Sequence, residues 1–280
     1  MTELDAARIE ASLDPTAPVD YRRLAARLAV AWSDSRPTRV GIGGGQGAGK
    51  STLGRLLEAA CAEVDLRAIV IGIDDFYRTR AERRAMARAV HPLFETRGPP
   101  GTHDVEALGA ALVDLTSPGG IALPRFDKGL DDRVEGVRVQ GPFDLVVLEG
   151  WCVGARASGH RLDPSPINAL EREADPEGRW RAEVDARLAR DYEPLWDRLD
   201  ALVFLQVPSL AAVRRWRLEQ EASLPAARRL DEAAVDRFVQ HYERITLAML
   251  EALPGRVDWS VVLADDHSVA EVVRRRPDGG

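Results

Sequence analysis

The sequence predicts a three-layer α/β fold, a mostly parallel sheet of about five strands with helices on both faces, and three observations lead there. Short apolar runs rich in β-branched residues recur at 39–43, 67–73, 143–150, 201–207 and 259–264. Between them lie stretches with apolar residues at helical spacing. A glycine-rich turn joins the first run to the helix that follows it. Strands that alternate with helices pair in parallel through crossovers, and strands covered on both faces are apolar throughout rather than alternating.

The elements follow in order. Residues 1–20 hold Pro15 and Pro18 and read as a polar lead-in. "YRRLAARLAVAW" places Leu24, Leu28 and Ala31 on one helical face, and Pro37 ends that helix. The strand 39–43 runs into the glycines, and Leu53, Leu56, Leu57 and Ala60 give the helix 50–63 its apolar face. After the strand 67–73 comes a charged helical stretch, 79–90, then the loop "RGPPGTHD", whose Asp104 can cap a helix from 105 to 115. The third strand is "FDLVVLEG", with Asp144 as a turn residue at its start. Residues 154–179, with Pro164, Pro166 and Pro176, read as a loop-rich excursion. Val184, Leu188, Tyr192, Leu195 and Leu199 form one stripe over 182–199. The strand "ALVFLQV", an Arg-rich helix 209–222, a helix 232–251 capped by Asp231, and the strand "WSVVLA" complete the pattern.

Bulk composition narrows the function classes. The chain has 280 residues, 45% of them hydrophobic, and a net charge of −7, with a pI near 5.4. An acidic surface argues against nucleic acid or an anionic membrane as the main partner. The first residues lack a basic start followed by an apolar stretch, so neither a secretory signal nor an anchor is expected. Cys61 and Cys152 read as buried free thiols of a reducing, cytoplasmic compartment. The sequence leaves the oligomeric state open.

The segment "GIGGGQGAGKST" carries the strongest chemical signal. Gly44, Gly45, Gln46, Gly47, Ala48, Gly49, Lys50 and Ser51 fit the pattern G-x-x-x-x-G-K-S/T between a strand and a helix. Consecutive N–H groups can turn inward around a phosphate only where the backbone adopts conformations that a Cβ disfavours. The helix N-terminus adds free amides and the positive end of a dipole. Lys50 would reach the β- and γ-phosphates and Ser51 would ligate Mg²⁺, while Thr52 reads as a helix residue. A nucleoside triphosphate is the expected ligand, and the fold is expected to be of the P-loop NTPase type.

Two carboxylates belong to the same rim. The second strand ends in "IDDFY" and the third in "LEG", so Asp74 and Glu149 emerge at carboxyl ends of parallel strands, as the glycine loop does. Phosphoryl transfer needs a metal, a group that orients the nucleophile, and cations around the equatorial oxygens. Glu149 suits the metal and Asp74 suits the proton of an acceptor hydroxyl, a role Asp75 could share. Cations come from Arg97, from Arg125 and Lys128, and from Arg214 and Arg217, which lie three apart on one helical face. Asp104 reads equally well as a cap or as an acceptor contact.

The motifs "IDDFY", "LFETRGPPGTHDVEAL", "PRFDKGLDDR", "LEGWCVG", "LWDRLDALVFLQVPSLAAVRRWRLEQE" and "DRFVQHY" resemble, in this order, those of plant-type D-glycerate 3-kinases, relatives of phosphoribulokinase, uridine kinase and pantothenate kinase. The resemblance covers about residues 38–267. It implies ATP- and Mg²⁺-dependent phosphorylation of the 3-hydroxyl of D-glycerate, with the loop on Gly44–Thr52, the base on Asp74 and the metal-linked acid on Glu149. It implies substrate contacts at Tyr77, Arg97, His103, Arg125 and Lys128, and a lid near 208–230 carrying Arg214 and Arg217. The implied organisation is a lead-in and helix over 1–37, one kinase domain over 38–270 and a polar tail over 271–280. The same parts could phosphorylate a nucleoside, pantothenate or a sugar acid. A nucleotide-gated switch is the contrasting class, but the N/T-K-x-D segment of such GTP-binding proteins is absent; "FDKG" lacks its first residue.

Overall fold

A computed structural model describes residues 2–159, 163, 165–222 and 229–275. In chain order the elements are α1 (Glu3–Ser12), α2 (Val19–Ser35), β1 (Arg39–Gly44), α3 (Lys50–Ala62), β2 (Ala68–Gly72), α4 (Arg80–Ala89), α5 (Val105–Asp114), β3 (Gly119–Asp127), β4 (Asp132–Gly141) and β5 (Leu145–Gly150). There follow α6 (Ala169–Ala174), α7 (Arg179–Arg187), α8 (Glu193–Trp196), β6 (Ala201–Gln206), α9 (Leu210–Ala222), α10 (Glu232–Ala252), β7 (Trp259–Leu263) and β8 (Val269–Arg274).

The main sheet has the order β2-β5-β1-β6-β7-β8. Its neighbours are parallel except for β7 and β8, which pair antiparallel. The five expected strands are therefore the five parallel ones. Side chains along a strand alternate between faces, and β5 feeds two cores in this way. Leu145 and Val147 join a cluster built with α1, α2, α3 and α9. Val146 and Leu148 join a second cluster built with α5, α8 and β3. Long α10 serves both, Val235 and Val239 in the first and Tyr242 and Met249 in the second. Helices thus cover both faces of the sheet, the three-layer arrangement expected from the sequence.

Several local expectations need correction. The lead-in contains α1, fixed by a capping box in which Thr2 and Asp5 exchange side-chain-to-backbone hydrogen bonds, with Ile9 and Leu13 buried. The stripe over 182–199 is not one helix. It is α7, a π-turn over Leu188–Tyr192, and α8 with Pro194 in its first turn. Proline has no N–H to donate to the preceding turn, which accounts for the interruption. The excursion 154–179 includes α6, and the hairpin β3–β4 forms a separate two-stranded sheet. Part of the expected tail, to Arg274, pairs as β8. Residues 223–228 of the expected lid, Pro164 and residues 276–280 lie outside the described residues. Asp104 and Asp231 do cap their helices, accepting from the amides of Ala107 and Ala234. Both cysteines are free and buried. Among the described residues no helix is long and apolar enough to cross a membrane.

Candidate active site

Register brings the carboxyl ends of three strands together. Ile42 of β1 and Gly72 of β2 both pair with Glu149 of β5. The chain leaves β1 into the glycine loop and leaves β2 into a single 3₁₀ turn, Ile73–Phe76, that carries Asp74 and Asp75. A cleft of about 1610 Å³ opens at this rim. Gln46, Gly47, Lys50, Ser51, Asp74 and Glu149 are among the residues that line it.

The loop is shaped as a cradle. Gly47 and Gly49 have φ of +78° and +75°, a region L-residues rarely adopt. A Cβ on Gly47 would lie 2.6 Å from Trp216 Cβ, and one on Gly49 would lie 2.6 Å from the Tyr21 hydroxyl. Lys50 Nζ curls back to donate to the carbonyls of Gly44 and Gly45, each at 2.9 Å. Burial pulls the Lys50 ammonium down from its ordinary range, opposed by Glu149 and Asp74. Ser51, in the first turn of α3, donates its hydroxyl to Glu149 Oε1 at 2.7 Å.

The neighbouring carboxylates differ in their partners. Burial pushes the Asp74 carboxyl up, but Lys128, 2.7 Å from Oδ2, outweighs it. With the Tyr77 hydroxyl acting in the same direction, Asp74 is held down at about 2. Asp75 is bound to the hairpin, accepting from Arg125 Nη1 at 2.7 Å and from the Phe126 amide at 3.2 Å. Lys128 lies between β3 and β4, so the hairpin missed in the sequence is what carries two of the expected cations to the cleft.

The remaining candidates divide. Tyr77, Arg97, Arg125 and Lys128 line the cleft, with Arg97 donating to Asp131 at 2.5 Å. His103 lies behind Tyr77, not on the cleft wall. It is fully buried, stacks on the Tyr77 ring at 4.4 Å and shares a hydrogen bond of 2.8 Å with the Tyr192 hydroxyl. Burial lowers its imidazole to about 4, so it is neutral near pH 7. Arg217 edges the cleft, its guanidinium 5.2 Å from the Phe238 ring centroid and paired with Glu221. Arg214 turns to α10 and pairs with Asp236 and Glu232. Sequence reasoning passed over Tyr21, Trp151, Phe238 and Tyr242, which also line the cleft.

No family model matches the chain. It is 32% identical over 244 residues to a protein of Schizosaccharomyces pombe named uncharacterized kinase mug58, an alignment covering 80% of this chain and 85% of that one. The chain belongs to the P-loop kinase superfamily. Among solved structures, D-glycerate 3-kinase from Cryptococcus neoformans var. grubii superposes with a TM-score of 0.67 at 25% identity, covering 98% of this chain and 96% of that one. The YGR205w protein superposes at 0.71 with 22% identity, covering 91% and 96%, a likeness of fold.

As a P-loop kinase the protein is an ATP-dependent enzyme. Its residues fit that nucleotide: the positive-φ glycines of the loop, the half-buried Lys50 ammonium at the rim and the N-terminus of α3, which has no side-chain cap, are all suited to polyphosphate. Among the described residues no group of three or more His, Cys, Asp or Glu could hold a metal ion.

Proposed function

We propose that this kinase transfers the γ-phosphate of ATP to the 3-hydroxyl of D-glycerate, giving 3-phosphoglycerate. The observation that carries the reading is one carboxylate, Asp74, held by Lys128 in a cleft that two further cations also line. Asp74 stands at the rim beside the glycine loop, and Lys128, Arg97 and Arg125 line the same cleft. A small acceptor with both a hydroxyl and a carboxylate matches that pairing, since guanidinium and ammonium groups bind carboxylates through charge-assisted hydrogen bonds. The likeness to D-glycerate 3-kinase along nearly the whole chain supports the same acceptor.

In this reading the loop from Gly44 to Ser51 grips the phosphates, with Thr52 in the helix behind it. Lys50 leaves its carbonyl partners to follow the γ-phosphate. Ser51 and Glu149 would hold Mg²⁺, which supplies neutralising charge at the β- and γ-oxygens. Asp74 accepts the proton of the attacking hydroxyl, while Asp75 stays committed to the hairpin. Lys128, now on Asp74, moves to the acceptor's carboxylate together with Arg97 or Arg125, and Tyr77 closes one wall. Arg217 is the lid cation directed at the phosphates; Arg214 anchors α9 to α10. His103 sets the plane of Tyr77 from behind.

The test is ADP release measured with D-glycerate, uridine, pantothenate and a sugar acid in parallel. D-Glycerate should stimulate most, and its product should be 3-phosphoglycerate. No stimulation by D-glycerate overturns the acceptor, and stimulation by a neutral nucleoside alone overturns the role of the cations. Lys128→Met should raise KM for D-glycerate about 10- to 100-fold, the scale of one hydrogen bond to a charged group, with little change in KM for ATP.

A further inference from the structure

Three carbonyls of the glycine loop have fixed partners. Those of Gly44 and Gly45 accept from Lys50. That of Ala48 accepts from the Tyr21 hydroxyl at 2.8 Å, a contact between residues 27 apart in the chain. Tyr21 belongs to α2 and is only 3% exposed, and Ala48 is wholly buried. Tyr21 reaches the cleft beside Gly49 and Ser51, and its ring fills the space that a Gly49 side chain would need.

Peptide geometry gives this contact a consequence. The Ala48–Gly49 peptide is planar, so its C=O and N–H point in opposite directions. Fixing the Ala48 oxygen on Tyr21 turns the Gly49 N–H away from α2. Gly49 is also the N-cap residue of α3, where free amides gather for an anion. Burial pushes the Tyr21 phenol up to about 12, so it remains a donor at neutral pH.

We propose that Tyr21 is a positioning residue for the phosphate cradle: by holding the Ala48 carbonyl it aims the Gly49 amide at the terminal phosphates of the bound nucleotide. The inference rests on the glycine loop being the nucleotide site. It makes α2 a working part of that site, although α2 lies outside the glycine motif.

The experiment is calorimetric titration of the full chain with MgADP, alongside the melting temperature without nucleotide. Tyr21→Phe keeps the ring and removes one neutral hydrogen bond, so Kd for MgADP should rise about 3- to 10-fold. Trp32→Phe serves as the control. Trp32 is buried on the same helix, roughly 16 Å further along it at 1.5 Å per residue. That variant should lower the melting temperature yet leave Kd within about 1.5-fold, below the loss expected for one hydrogen bond. An unchanged Kd in Tyr21→Phe overturns the proposal, as does equal weakening in both variants. Lys50→Ala separates the two levels. Undiminished MgADP binding there removes the nucleotide assignment of the loop itself. Weakened binding there, with Tyr21→Phe unchanged, removes only the role of Tyr21.

Discussion

Replacing Lys50 by alanine is expected to lower kcat/KM for ATP by roughly three orders of magnitude or more, the scale of losing a preorganised cation from a transferring phosphoryl group. The reason is local. Lys50 Nζ is held at the rim by two carbonyls, those of Gly44 and Gly45, and is drawn toward Glu149 and Asp74. No other ammonium belongs to the glycine motif. The fold should survive, because α3 keeps its apolar face of Leu53, Leu56 and Leu57 in the core. Circular dichroism and the melting temperature check the fold, and steady-state ADP release checks the rate. A variant within tenfold of wild type would mean that the phosphates are neutralised elsewhere, about 1.4 kcal/mol being all that tenfold represents.

Asp74→Asn is expected to depress kcat by roughly 10²- to 10⁴-fold, the usual contribution of a positioned base, while KM for ATP stays close to wild type. The amide keeps the size of the carboxyl and loses the proton acceptor. Comparable losses in kcat and in ATP affinity would argue for a role in nucleotide binding instead. The pH dependence adds a second check. The folded protein holds Asp74 at about 2, below its ordinary value of 3.8. The ionised form is therefore favoured above that range and is lost only as pH falls through about 2. Because kcat/KM reports the free enzyme, Asp74 should give it no acid limb between about pH 5 and 8. Lys128→Met removes the main group that opposes burial and leaves the Tyr77 hydroxyl, so the Asp74 limb should move upward in that variant.

Much of this site was legible because parallel strands share a direction. Once 67–73 and 143–150 read as strands parallel to 39–43, Asp74 and Glu149 had to leave the sheet at the end where the glycine loop begins. The observed register, Gly72 and Ile42 both against Glu149, realises that geometry. The hairpin β3–β4 was not legible, because Gly119, Gly120, Pro124, Gly136 and Gly141 break the alternation that marks a strand. Its placement nevertheless decides where Arg125 and Lys128 sit in the cleft. Arg214 and Arg217 have the spacing of one helical face, yet acids on α10 claim the first and leave the second at the cleft. The partners of Arg214 come from a helix 18 to 22 residues away, and no local pattern announces them. The contact of Tyr21 with Ala48 is likewise purely tertiary. His103 stood in a loop by every local sign and is fully buried, because Tyr77 stacks over it.

The most direct measurement is a crystal structure of the protein with MgADP and D-glycerate. The β-phosphate is expected on the amides of the glycine loop. The acceptor's 3-hydroxyl is expected within about 2.6–3.2 Å of an Asp74 oxygen, the reach required of a general base, with the acceptor's carboxylate on Lys128 and Arg97 or Arg125. D-Glycerate bound with its carboxylate away from those cations, or with its hydroxyl beyond the reach of Asp74 even through one water, would contradict that placement.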